Sequence, residues 1–158
     1  MKQFALALAL PLVAACTQMT PTPEVPDVDA AAEDVAVIKP APRPSTAART
    51  VDQFDTTSKE ERAAAVAVAT SEPAGATELG LTTASLGNPA EPGFWMETPL
   101  VSAVTKGRVD YPANGRSVAV ELRPIAGEAG SGSRLSLPAM RLLDAPLTGL
   151  PDVKVFKL

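Results

Sequence analysis

One thiol, no imidazole and a scatter of single carboxylates set the chemistry open to this 158-residue chain. Cys16 is the only cysteine, and there is no histidine. A lone cysteine cannot form an intramolecular disulfide, so in an oxidising compartment it is a liability unless another chemistry claims it. Zinc sites draw on Cys and His together, and a serine nucleophile with an imidazole base is excluded by composition. The glycine-rich run from Gly127 to Gly132 lacks both the Lys-Ser/Thr step and the strand-to-helix setting of a phosphate loop. Glu91, Glu97, Asp110, Glu121, Asp144 and Asp152 stand singly along the chain, as solvated surface charges do. Glycoside cleavage would need one of them as a proton donor of raised pKa. No cofactor and no metal is expected.

The setting of Cys16 says what claims it. Lys2 gives a short positive start, Phe4 to Leu10 is an apolar run, and Pro11 is followed by small residues. That order is the pattern of a secretion signal, too short to span a bilayer as a mature helix. It ends Leu12-Val13-Ala14-Ala15-Cys16, which resembles the lipobox of bacterial lipoproteins: an aliphatic residue, two small residues, then the cysteine. The resemblance implies a signal peptide over residues 1–15, cleavage before Cys16, and lipidation of Cys16 with acyl chains such as palmitate. More than one acyl chain is enough to hold a protein stably to a membrane. Thr17 stands where lipoproteins kept at the inner membrane usually carry Asp, so the resemblance places the chain at the cell outer membrane, facing the periplasm.

Behind the anchor, residues 16–54 read as a disordered tether. Pro21, Pro23, Pro26, Pro40, Pro42 and Pro44 fall in it, acidic residues collect in its first part, and only Phe54, at its very end, is aromatic. Such a stretch buries too little apolar area to offset its ordering entropy. Residues 55–72 hold a short helix, opened by the capping box Ser58-Lys59-Glu60-Glu61 and stopped by Ser71-Glu72-Pro73. About a dozen residues are too few for a stable isolated helix, so it docks or frays. Residues 78–158 carry the only Trp and Tyr and alternate like strands. The expected fold is mainly β: a small barrel-like C-terminal domain with one or two short helices. Strands are read over Leu79 to Leu86, Pro99 to Val104, Val109 to Tyr111, Val118 to Leu122 and Val153 to Leu158, with an Asn114-Gly115 turn and a short helix capped by Ser136. Signal cleavage removes Lys2 from 14 basic residues, leaving 13 against 18 acidic ones, a net charge of −5. No basic patch suited to nucleic acid is present.

The order Gly107-Arg108-Val109, Asn114-Gly115-Arg116-Ser117-Val118-Ala119-Val120, Arg123-Pro124, Ser133-Arg134-Leu135-Ser136-Leu137 and Val153 to Phe156 resembles the RlpA-like double-psi β-barrel. Ala84-Ser85-Leu86-Gly87 is similar to the opening Ala-Ser-Trp-Tyr-Gly of such domains. The resemblance covers residues 79–158 and implies action on peptidoglycan glycan strands. Enzymes of that family rely on an aspartate in an Asp-Arg-Gly-Pro motif; here that position is Leu122 and the glycine is missing. The Asp before the helix is Ser136. The chain therefore reads as a non-catalytic, lipid-anchored envelope module that binds peptidoglycan or a periplasmic protein partner. The alternative is a divergent glycan-cleaving, lytic transglycosylase-like enzyme using Asp110 or Glu121.

The candidate binding residues are Phe94, Trp95, Arg116 and Arg123. Phe94 and Trp95 lie in Pro92 to Val101, bracketed by glycine and prolines and read as a loop. Aromatics on a rigid loop stack on sugars or anchor partners; the competing reading makes them the core plug of a domain poor in aromatics. Arg116 and Arg123 are the cations for an anionic glycan or lipid group.

Overall fold

A computed structural model describes residues 41–71 and 75–158. Cys16, the expected signal segment 1–15 and most of the expected tether lie outside the described residues. Among those described, no helix is long and apolar enough to cross a membrane.

The described chain opens with a strap. Ser45 to Ala48 forms a turn, and the short helix α1 (Val51–Phe54) follows, with Gln53 Oε1 accepting from Thr50 N at 3.2 Å. The longer α2 (Lys59–Thr70) begins as the capping box requires: Glu61 N donates to Ser58 Oγ (3.0 Å) and Ser58 N donates to Glu61 Oε2 (2.7 Å). Ala65 and Ala69 are buried, so the helix docks through small residues. The tether expected to run to residue 54 thus gives way earlier to packed chain. Ala41 and Ala48 are buried because alanine pays almost no side-chain entropy on packing, and no hydrophobic period marks them.

Six strands close into a barrel: β1 (Thr77–Leu86), β2 (Trp95–Thr98), β3 (Thr105–Tyr111), β4 (Arg116–Pro124), β5 (Ser133–Leu135) and β6 (Asp152–Lys157), in the order β1-β5-β2-β4-β3-β6. The fold is mainly β, with a few short helices, as the alternating residues predict. Val118, Val120 and Leu122 face inward from β4, and Val153 and Val155 from β6. Met96, Leu135 and, from α3 (Leu137–Leu142), Met140 complete the interior. Closure leaves the barrel without an open sheet edge at β6.

Two readings need correction. The second strand is Trp95–Thr98 and not Pro99 to Val104, because Pro99 has no amide hydrogen to donate and the chain turns at Pro99 and Leu100. Trp95 is therefore strand and core, while Phe94 lies half-buried in the bend just before the strand. Ser136 precedes α3 without capping it through its side chain; its Oγ instead accepts from Trp95 N at 3.2 Å, while Ser136 N donates to Trp95 O at 3.0 Å.

The pairing pattern has a two-fold symmetry that the sequence hides. Exchanging β1 with β4, β2 with β5 and β3 with β6 maps the strand order onto itself. Registers follow too. The antiparallel pair Thr82–Val153 corresponds to Val120–Gly107, and the parallel pair Ala84–Ser133 corresponds to Leu122–Met96. Glu97–Arg134 corresponds to itself and so sits on the axis. In each half the long strand outruns its short parallel neighbour: β5 reaches only Ala84–Leu86 of β1, and β2 only Glu121–Pro124 of β4. Both long strands are left with a bare flank. Helix α2 packs against β4.

Gly107 lets β3 lie close against its neighbours. A Cβ there would overlap the Leu122 side chain and lie 2.7 Å from Phe156 O. The side chain can shift but the backbone oxygen cannot, so Gly107→Ala is expected to destabilise the barrel by about 1–3 kcal/mol. A urea melt checks this; an unchanged midpoint would show that β3 and β6 can separate without loss.

Candidate functional site

The four residues singled out by sequence do not form one surface. Trp95 is 1% exposed, with its indole against Gly87 and its Nε1 donating to Glu91 O at 3.4 Å. Arg123 lies over that ring, 5.4 Å from the centroid, and is held by Glu91 and by Glu121. Burial alone would lower the guanidinium pKa, but hydrogen bonds to Glu121 and Glu91 and their charges outweigh it, so the net shift is upward. Trp95 and Arg123 thus make a plug and its lid. Phe94 is half-buried beside the core, and its carbonyl accepts from Glu121 N at 3.0 Å. Arg116 stands apart beside the Asn114-Gly115 turn, donating to Leu142 O at 3.3 Å and lying 4.0 Å from Asp144.

The two carboxylates of the enzymatic alternative are engaged on their own strands. Arg108 Nε and Asp110 Oδ1 are 2.8 Å apart, an ion-pair contact rather than an aligned hydrogen bond. The same guanidinium stacks 4.3 Å from the Phe156 ring centroid. Glu121 accepts from Arg123 Nε at 2.6 Å. Among the described residues, no group of three or more Cys, His, Asp or Glu is placed to hold a metal.

Two depressions stand at the symmetry-related bare flanks. The first is an open cleft of about 410 Å³ beside β1 and β5, lined by Thr83, Ser85, Ser131, Arg134, the backbone of Gly130 and Gly132, and the aliphatic Ile125 and Leu150. Arg134 presents a 60%-exposed side chain and is paired with Glu97 at 3.2 Å. Thr83 Oγ1 donates to Asp152 Oδ1 at 2.7 Å, and Ser85 Oγ donates to Ser133 O at 3.3 Å. Beneath the cleft runs a buried hydroxyl chain, with Ser133 Oγ 3.0 Å from Thr82 Oγ1 and 2.9 Å from Thr98 Oγ1, which fixes β5 against β1 and β2. Gly132 adopts φ +82°, and that left-handed turn lets the loop lie close to β1.

The second depression is an apolar groove of about 560 Å³ between α2 and the barrel, walled by Ala65, Val68, Phe94, Val104, Val120 and Leu158. Carrying the two-fold correspondence just past the strand ends matches Thr83 with Glu121, Ser131 with Phe94, and Leu150 with Val104. The cleft and the groove are therefore counterparts, one lined by polar and apolar groups alike, the other apolar and flanked by a helix. Of the cleft residues, Ser85, Ser133 and Arg134 fall in segments that resemble a family motif. No spacing rule shows that the fold brings Ser133 and Arg134 opposite Thr83 and Ser85. No known protein family, curated protein or solved structure matches this chain.

Proposed function

We propose that this chain is a non-catalytic envelope module, anchored through acylated Cys16 at the outer membrane, that binds peptidoglycan glycan in the open cleft beside β1 and β5. The observation that carries the reading is the cleft lining: hydroxyls from Thr83, Ser85 and Ser131, backbone amides of a glycine loop, and one guanidinium, Arg134. Hydroxyl and amide groups hydrogen-bond sugar hydroxyls and acetamido groups, and an arginine meets a sugar carboxylate. The nearest carboxylates already accept bonds, Asp152 from Thr83 and Glu97 from Arg134, and neither is set against the cleft as a free proton donor. The crossed parallel pairs β1–β5 and β2–β4 support the resemblance to a double-psi barrel.

The test uses the mature chain with Cys16→Ser, which should stay in the soluble fraction, mixed with purified sacculi. Arg134→Ala is expected to weaken retention about tenfold, the loss of one charge-assisted hydrogen bond. Its exposed side chain leaves the fold unchanged. Equal retention of the two proteins would remove the cleft from the reading. Release of soluble glycan fragments would replace binding by catalysis.

A further inference from the structure

We propose that the bare edge of β1 at Leu81 and Thr83 seats an extended peptide, so that the ligand of the cleft is glycan still carrying its peptide stem. The inference rests on the glycan reading of the cleft and adds a second part to the same ligand. Strand geometry decides which main-chain groups are open. Ala84 N donates to Pro151 O at 2.8 Å, toward β6. Successive residues of a strand aim their N–H and C=O groups at opposite edges. Thr82, paired with Val153, therefore also faces β6, while Leu81 and Thr83 face the other way. On that side β5 pairs only from Ala84 onward. Thr83 O lies against Gly132, where an added Cβ would stand 3.3 Å from it. Thr83 N and both main-chain groups of Leu81 have no main-chain partner among the described residues.

The two-fold correspondence shows what such a donor takes. Thr83 N matches Glu121 N, which donates to Phe94 O at 3.0 Å, a main-chain carbonyl laid alongside the strand. The residue matching Phe94 is Ser131, but it sits in a turn, its N donating to Glu128 O at 2.9 Å, and Thr83 N is left without that bond. Helix α2 packs against the flank of β4, whereas Leu81 on the counterpart flank is 59% exposed. An added strand would meet Leu81 and Thr83 with its own amides and carbonyls at the two-residue spacing of about 6.6 Å. Leu81 lies that same distance along β1 from Thr83 of the cleft wall, within reach of a peptide joined to a sugar held there. Leu81 and, in the cleft, Leu150, 69% exposed, offer aliphatic surface that suits peptide side chains better than sugar hydroxyls.

The test is amide exchange followed by NMR on the mature Cys16→Ser chain with two soluble probes: the peptidoglycan disaccharide bearing its peptide stem, and the same disaccharide without it. At saturation the stem-bearing probe is expected to slow exchange at Leu81 and Thr83 about tenfold. Thr82, already paired with β6, should not change, and the bare disaccharide should leave Leu81 as it was. Equal slowing by both probes, or slowing by neither, overturns the inference. The glycan reading survives that result if the bare disaccharide still shifts the Ser85 and Arg134 resonances, and falls with it if neither probe does. Leu81→Pro removes the edge amide without touching the β6 ladder, as a proline on an open edge can. It is expected to weaken the stem-bearing probe about tenfold and the bare disaccharide not at all. An equal effect on the two probes would also defeat the proposal.

Discussion

Trp95→Ala is expected to lower stability by about 3–5 kcal/mol and the melting temperature by about 10–20 °C. The indole is the largest fully buried side chain, and its removal leaves a hole between Gly87, Leu135 and the Arg123 guanidinium. Gly87 cannot fill the space, and Arg123 is fixed on its far side by Glu91 and Glu121. Since Trp95 is the only tryptophan, its emission reports unfolding of the parent directly, and circular dichroism follows the variant. Trp95→Phe should fall between the two. If Trp95→Ala melted like the parent while losing a ligand, the indole would be a contact surface and the core assignment would be wrong.

The second large effect is expected at Asp55. Its carboxylate is 2% exposed and receives Arg141 Nη1 at 2.9 Å, Arg62 at 3.2 Å and the Thr57 hydroxyl at 2.5 Å. Removing one partner of a buried ion pair costs about 3–5 kcal/mol. Both arginines keep about a third of their side-chain surface in water, 35% and 32%, so Asp55→Ala should cost about 2–3 kcal/mol after discounting for solvent. The loss should be local. Amide exchange should quicken across the strap and α2 while β3, β4 and β6 stay protected. Asp52, 83% exposed, also bonds Arg141, yet Asp52→Ala should change stability by less than about 0.5 kcal/mol. Equal effects at Asp52 and Asp55 would mean that burial does not govern this cluster.

Strands with strict alternation could be read before the fold was known. Val118 to Leu122 and Val153 to Val155 each present every second residue inward, and period two admits one interpretation when one face is apolar. The Ser58 capping box was equally legible, because cap and acceptor lie three residues apart. Trp95 to Thr98 was not, since four residues bounded by Gly93 and Pro99 carry too short a pattern to separate strand from loop. The strap escaped because its buried residues are two alanines, Thr57 and Asp55, whose partner Arg141 is 86 residues away. For the site, residue types suggested arginine and aromatic contacts; the fold spent Trp95 on the interior and Arg123, about a third exposed, on covering it. Thr83, Ser85 and Arg134 meet only through the β1–β5 pairing, a long-range event that no local window contains.

The two-fold pattern has a consequence for how the chain becomes a protein. β1 pairs with β5 and β6, β2 with β4 and β5, and β3 with β4 and β6. None of the first three strands touches another of the three. A polypeptide emerging amino end first therefore offers half a barrel with nothing to zip against. No ladder can nucleate until residues past Arg116 are free, and the last gap waits for β6. Such interleaving makes contacts distant in sequence and folding slow.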